Sequence, residues 1–167
     1  MSDHRDLLTL ASEIRQELDA AARLAAEAAE TWRRRLVVAE EDRRAHVEST
    51  ALKLHNFYTA CERIFERVSV VLNGSQVSTP DWHVRLLRTM SLEVPEVRPR
   101  VISPELVERL GAYLRFRHLV RNIYGFQLDE SDMESLVARL PETAREVAVQ
   151  IGAFLDELVR LGRAIGD

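Results

Sequence analysis

Between Arg115 and Phe126 the chain reads RFRHLVRNIYGF, which places three arginines and a histidine within seven residues and sets Asn122 and Tyr124 just behind them. On an α-helix each residue turns by about 100°, so Tyr124 falls about 20° and Arg121 about 40° from Arg117 around the axis. Arg117, Arg121 and Tyr124 therefore share one stripe. His118 lies about 100° and Asn122 about 140° from Arg117, and a tightened last turn would swing Asn122 nearer. A guanidinium is a rigid fork of donors that fits phosphate oxygens. A tyrosine can hydrogen-bond to a base or stack on it. With a histidine added, such a set can cleave RNA without a metal. A base takes the 2′-hydroxyl proton, the arginine steadies charge on the phosphoryl group, and an acid protonates the leaving oxygen. Arg115, His118 and Arg121 would extend the site as RNA contacts. A plainer reading stands beside this one: arginines on a solvated face, Tyr124 as a core aromatic with a surface hydroxyl, and His118 as a packing residue.

The elements that must hold these residues are helical. Leu7, Leu10, Ile14, Leu18, Ala21, Ala25, Ala28 and Trp32 recur every three or four positions, which predicts a first helix from Asp3 to Arg35. A second is expected from Glu41 to Asn73, with Leu54, Tyr58, Cys61, Phe65, Val68 and Leu72 facing the core and Asn73–Gly74 as its stop. Thr79 reads as an N-cap with Pro80 first in a short third helix, DWHVRLLRTMSL. EVPEVRPR is the longest irregular link. Ser103 caps a fourth helix that begins at Pro104 and stops at Gly125. Its packing residues are Leu106, Leu110, Tyr113, Leu114 and Val120. Ser131 and Glu134 have capping-box spacing. Pro141 is expected to interrupt the helix they start, leaving a last helix from Glu142 to Leu161. The fold class is all-α, an up-and-down antiparallel bundle in a single domain spanning 1–167.

Composition fits that class. Hydrophobic residues make up 46% and charged residues 30%, a globular balance that excludes disorder. Cys61 is the lone cysteine, so no intramolecular disulfide can form and a reducing cytoplasm is expected. The N-terminus lacks the basic start and apolar stretch of a signal peptide, and no apolar run is long enough to span a membrane. Net charge is −4, yet residues 80–125 hold eight arginines against five acids. The cationic share is therefore local.

The segment RFRHLVRNIYGF resembles the signature of the HEPN superfamily in its HepT-like branch of ribonuclease toxins, Arg-x4-His-x-Tyr near a helix end. The match sets Arg117 at the motif arginine, Tyr124 at the motif tyrosine and Asn122 at the motif histidine. LHNFYTACERIFERV (Leu54–Val68), DWHVRLLRTM (Asp81–Met90) and LRFRHLVRNIYGFQLD (Leu114–Asp129) also resemble that branch, so the resemblance runs from Leu54 to Leu158. It implies a HEPN-like bundle that forms a homodimer, with two motifs facing each other across an RNA-cleaving cleft. It also implies a partner, an MntA-type nucleotidyltransferase antitoxin that transfers AMP to Tyr124. An adenylate there adds bulk and negative charge to a cationic cleft and should block RNA. The substrate would be RNA, with tRNA the class the family suggests.

Asn122 departs from the motif, because an amide is neither a general acid nor a general base near neutral pH. Losing such a group lowers activity by roughly 100- to 10,000-fold. Three readings follow. The chain is a natural member that cuts poorly, or a version inactivated so that a toxic protein could be produced, or His118 substitutes. The rival functions are a non-catalytic HEPN regulator that dimerises and binds a nucleotidyltransferase, and a plain helical adaptor. No cofactor is expected, nor a metal, since the histidines and Cys61 lack ligand spacing. His55 and His83 read as structural or interfacial, and Cys61 as core. The TWRRR cluster at Thr31–Arg35 reads as helix-end charge, and Trp32 and Trp82 as packing anchors.

Overall fold

The structure, a computed structural model, describes residues 4–74, 80–122 and 128–166. They form five helices: α1 (His4–Arg34), α2 (Glu40–Asn73), α3 (Trp82–Thr89), α4 (Pro104–Asn122) and α5 (Glu130–Gly166). Among the described residues there is no strand, only an isolated bridge between Val94 and Arg98. The all-α expectation holds. Among the described residues, helix α2 is the hub, touching α1, α3, α4 and α5, while α1 packs only on α2 and α5.

The heptad-like stripe of α1 goes inside: Leu7, Leu10, Ile14, Ala21, Ala25, Ala28 and Trp32 are buried, with Leu18 only partly so. The alanines let α1 lie close to its neighbours, since no long side chain holds the backbones apart. Leu54, Phe57, Tyr58, Cys61, Ile64 and Phe65 of α2 are fully enclosed. Helix α2 ends at Gly74 with φ +67°, the left-handed conformation that glycine adopts without a Cβ clash. Phe57 meets Tyr113 of α4 edge-on at 5.4 Å, and the Tyr113 hydroxyl donates to the Leu136 carbonyl of α5 at 2.8 Å.

Three local expectations are corrected. Helix α3 begins at Trp82 with Asp81 at its N-cap, so Pro80 precedes the helix; Thr79 lies outside the described residues. Helix α5 is capped by Asp129 rather than Ser131, for the Asp129 carboxylate accepts the Ser131 N–H at 3.0 Å. Pro141 does not break the chain in two but sits inside α5. Its missing N–H costs about 3 kcal/mol in a helix. Opposing that, Leu136, Val137 and Leu140 before it and Val147, Ile151, Phe154, Leu155 and Leu158 after it all reach the core along one continuous stripe. Burying several such side chains at roughly 1.5–3 kcal/mol each outweighs one proline. The Ser103 cap is as expected, its hydroxyl accepting the Leu106 N–H at 3.2 Å.

The link between α3 and α4 is ordered by a buried arginine. Arg98 donates to Asn73 Oδ1 and to the carbonyls of Thr89, Leu92 and Pro99 at 2.9–3.1 Å. Burial pulls its pKa below the usual arginine value. At the other end of the bundle, Arg35 stacks on Trp32 at 3.6 Å and meets Glu130 at 3.0 Å, while Arg43 meets the same carboxylate at 2.8 Å. Hydrogen bonds from Arg43 and then Arg35 hold Glu130 down to about 2 from 4.5. A carboxyl depressed on folding stabilises the fold above its unfolded value, and that contribution fades as pH falls from about 4.5 towards 2. Urea unfolding across that window should show the parent losing more stability than Glu130→Gln. Parallel pH curves for the two proteins would contradict the clip.

Candidate functional site

Helix α4 buries Leu106, Leu110, Tyr113, Leu114 and Phe116, which turns its other side outward. Arg115, Arg121 and Asn122 are exposed there. Arg117 is not. It is 8% exposed and lies against α2, so the arginine stripe is split between solvent and interior. Tyr124 falls outside the described residues.

Arg117 is held from α2. Its Nη2 lies 3.2 Å from Glu62 Oε1, and its Nε donates to Thr59 Oγ1 at 3.3 Å. Glu62 is itself 4% exposed, and its second oxygen lies 2.7 Å from Nδ1 of His83 on α3. One carboxylate thus ties three helices together. A carboxylate offers only acceptors, so His83 meets it as an Nδ1–H donor. The His83 ring stacks on Trp82 with centroids 3.6 Å apart, and the His118 ring approaches it edge-on at 5.3 Å.

Two polar atoms in this cluster have no partner among the described residues: Arg117 Nη1 and the Tyr58 hydroxyl. A buried donor left unpaired costs about 1–3 kcal/mol, and in native structures such groups call for a reason. Burial, then the Glu62 charge, pushes the Tyr58 hydroxyl well above the usual tyrosine range. Burial and the nearby Glu62 raise the Glu66 carboxyl. His118 is pulled down, first by burial and then by its neighbours His83 and Arg117. Cys61 is buried core, its thiol pushed up to about 12 by burial.

The basic stretch does not form one patch. Of its arginines, Arg98 and Arg117 are buried, and Arg109 pairs with Glu142 and Glu146 of α5 at 3.2 Å. Arg85, Arg88, Arg100, Arg115 and Arg121 remain exposed. His55 is half-buried and hydrogen-bonds Asn56 Oδ1 at 3.1 Å. Among the described residues no three His, Cys, Asp or Glu side chains gather as metal ligands, and no helix is long and apolar enough to cross a membrane.

Sequence reasoning did not single out Glu62 or Thr59, placed Tyr58 on the core face, where it lies, and read His83 as structural or interfacial. A signal was present. Glu62 follows Tyr58 by four residues and precedes Phe65 by three, so it sits on the core edge of α2, where a charge requires a counter-charge.

These residues lie within a stretch that matches a known family. The family model described as HepT-like protein matches residues 49–158, about two thirds of the chain. The chain belongs to the HepT-like family. The match takes in most of α2, all of α3 and α4, and α5 as far as Leu158. It therefore contains the whole Glu62–His83–Arg117 cluster and leaves α1 outside. No curated protein and no solved structure matches the chain.

Proposed function

We propose that this HepT-like protein is a metal-independent endoribonuclease, the toxin half of a toxin–antitoxin pair, with its site built around Arg117 and completed by a second copy of the chain. The observation that carries this is the buried Arg117 guanidinium, positioned by Glu62 and Thr59 with Nη1 lacking an acceptor among the described residues. A phosphoryl oxygen would supply that acceptor. Charge developing on a phosphoryl group that reached this N–H would meet a desolvated donor, where electrostatic stabilisation is strongest. Arg115 and Arg121, exposed on the same helix, would hold the flanking RNA backbone. Asn122, at the exposed end of α4, would hydrogen-bond the sugar or phosphate but transfer no proton. Tyr124 would orient the substrate and accept AMP from an MntA-type nucleotidyltransferase antitoxin, which would close the cleft to RNA by charge and bulk. The setting would be the cytoplasm, and tRNA is the first substrate to try.

Exposed apolar residues support the second copy. Val84 and Leu119 are 38% and 42% exposed, and each is the sequence neighbour of a cluster histidine. Light scattering at micromolar concentration should give a dimer, and Leu119→Glu should give a monomer. A strictly monomeric parent would contradict the composite site.

RNA binding tests the reading without requiring turnover. Affinity for a single-stranded RNA should fall with salt, and Arg121→Ala should flatten the logarithmic slope by about one unit while weakening all sequences alike. Salt-independent binding, or none, would favour a helical adaptor. Asn122 favours a second reading, a HEPN bundle that dimerises and holds the nucleotidyltransferase without cutting RNA. Binding without cleavage would point there.

A further inference from the structure

We propose that His83, oriented by Glu62, is the proton acceptor for the RNA 2′-hydroxyl at this site. The inference rests on the ribonuclease reading and adds to it the base that Asn122 cannot be. Two histidines adjoin Arg117. His118 has no hydrogen-bond partner among the described residues to fix its ring, and burial and neighbouring cations weaken it as a proton carrier. His83 differs in both respects. Glu62 Oε2, 2.7 Å from Nδ1, sets its tautomer, and Trp82 stacked at 3.6 Å sets its plane. With Nδ1–H committed to the carboxylate, the lone pair sits on Nε2, which no described residue occupies. A nucleophile's base held by a third, acidic group is the arrangement that activates hydroxyls in unrelated folds. Here the same carboxylate reaches Arg117 through its other oxygen at 3.2 Å. The base and the phosphate-holding guanidinium are therefore fixed relative to each other by a single side chain.

The step balances without another reactant. His83 Nε2 takes the 2′-hydroxyl proton as the 2′-oxygen bonds to phosphorus, and the bond from phosphorus to the 5′-oxygen breaks. His83 returns the proton through water to the 5′-oxygen. The products are a 2′,3′-cyclic phosphate and a 5′-hydroxyl. The groups facing His83 are Glu62 and Glu66 from α2 and Arg117 and His118 from α4.

The test is RNA cleavage by the full chain across pH, with His83→Asn, His83→Ala and Asn122→His beside it. The expected result is that the parent cuts, that His83→Asn lowers cleavage roughly 100- to 10,000-fold and removes the acid limb of the pH profile, and that added imidazole restores part of the activity of His83→Ala. An unfolded variant would show no such rescue. If both His83 variants fail to fold, the parent's own profile decides: a flat one overturns the proposal, and cyclic-phosphate ends with a single acid limb support it. Cleavage unchanged by His83→Asn overturns it as well. An inert parent with an active Asn122→His overturns the role of His83 while the ribonuclease reading stands. Inertness of both overturns the two together.

Discussion

Glu62→Ala is expected to destabilise the fold by about 3–5 kcal/mol, the range for breaking one partner out of a buried ion pair. Glu62 is 4% exposed and serves two partners at once, the Arg117 guanidinium at 3.2 Å and His83 Nδ1 at 2.7 Å. Removing it strands a guanidinium that already has one N–H unpaired among the described residues. It also releases α3, an eight-residue helix whose other buried anchors are Leu86 and Leu87. Against a typical total of about 5–15 kcal/mol, such a loss is severe. Glu62→Gln keeps an acceptor for Arg117 and should be markedly milder. Glu62→Ala combined with Arg117→Met should cost less than the sum of the single changes, because no orphaned charge remains. Urea unfolding of the parent, Glu62→Ala, Glu62→Gln, Arg117→Met and the double variant reads all of this. A cost below about 1 kcal/mol for Glu62→Ala, near that of an ordinary surface position, would mean that the cluster does not join α2 to α4.

Arg117→Lys is expected to lower RNA cleavage by roughly 100- to 1,000-fold, the usual loss when one aimed donor is removed from developing transition-state charge. Lysine retains the charge but not the planar fork. Its three N–H groups radiate from a single atom, so they do not reproduce the spread of the fork that reaches Glu62 and Thr59 and leaves Nη1 over. The retained charge leaves Glu62 a counter-ion, so the variant should keep its helical circular dichroism. RNA affinity should change little, since Arg115 and Arg121 remain exposed. The effect should therefore fall on kcat rather than on KM. Equal losses in binding and turnover would recast Arg117 as a general anchor.

The bundle was legible because its signal is repetitive. Leu7, Leu10, Ile14, Ala21 and Ala25 mark α1 by spacing alone, and Asn73–Gly74 marks the end of α2. Pro141 misled because local backbone chemistry disfavours a helix there, whereas the long core stripe of α5 is a tertiary effect that outweighs it. The Ser131 cap misled because the Asp129 carboxylate, two residues earlier, accepts the Ser131 N–H that Glu134 would take in a capping box. Arg117 is singled out in the sequence by its spacing to Asn122 and Tyr124, but its burial is not legible there. Arg117 and Arg121 differ by only about 40° on the wheel. Which of them turns inward depends on Glu62 waiting on α2, and no helical period in α4 encodes that. His83 joins the cluster through a third helix, so its part is a property of the packing. Arg98, counted with the basic stretch, is consumed by four acceptors that only the folded link supplies.

The most direct test of the ribonuclease account is cleavage of a broad RNA pool, tRNA included, by the purified chain and by Asn122→His, each with and without Arg117→Lys. The account predicts that the parent cuts, that Asn122→His cuts faster by adding a second proton-transfer group at the helix end, and that Arg117→Lys suppresses both. RNA left intact by the parent and by Asn122→His alike would contradict it and leave the partner-holding regulator as the better description.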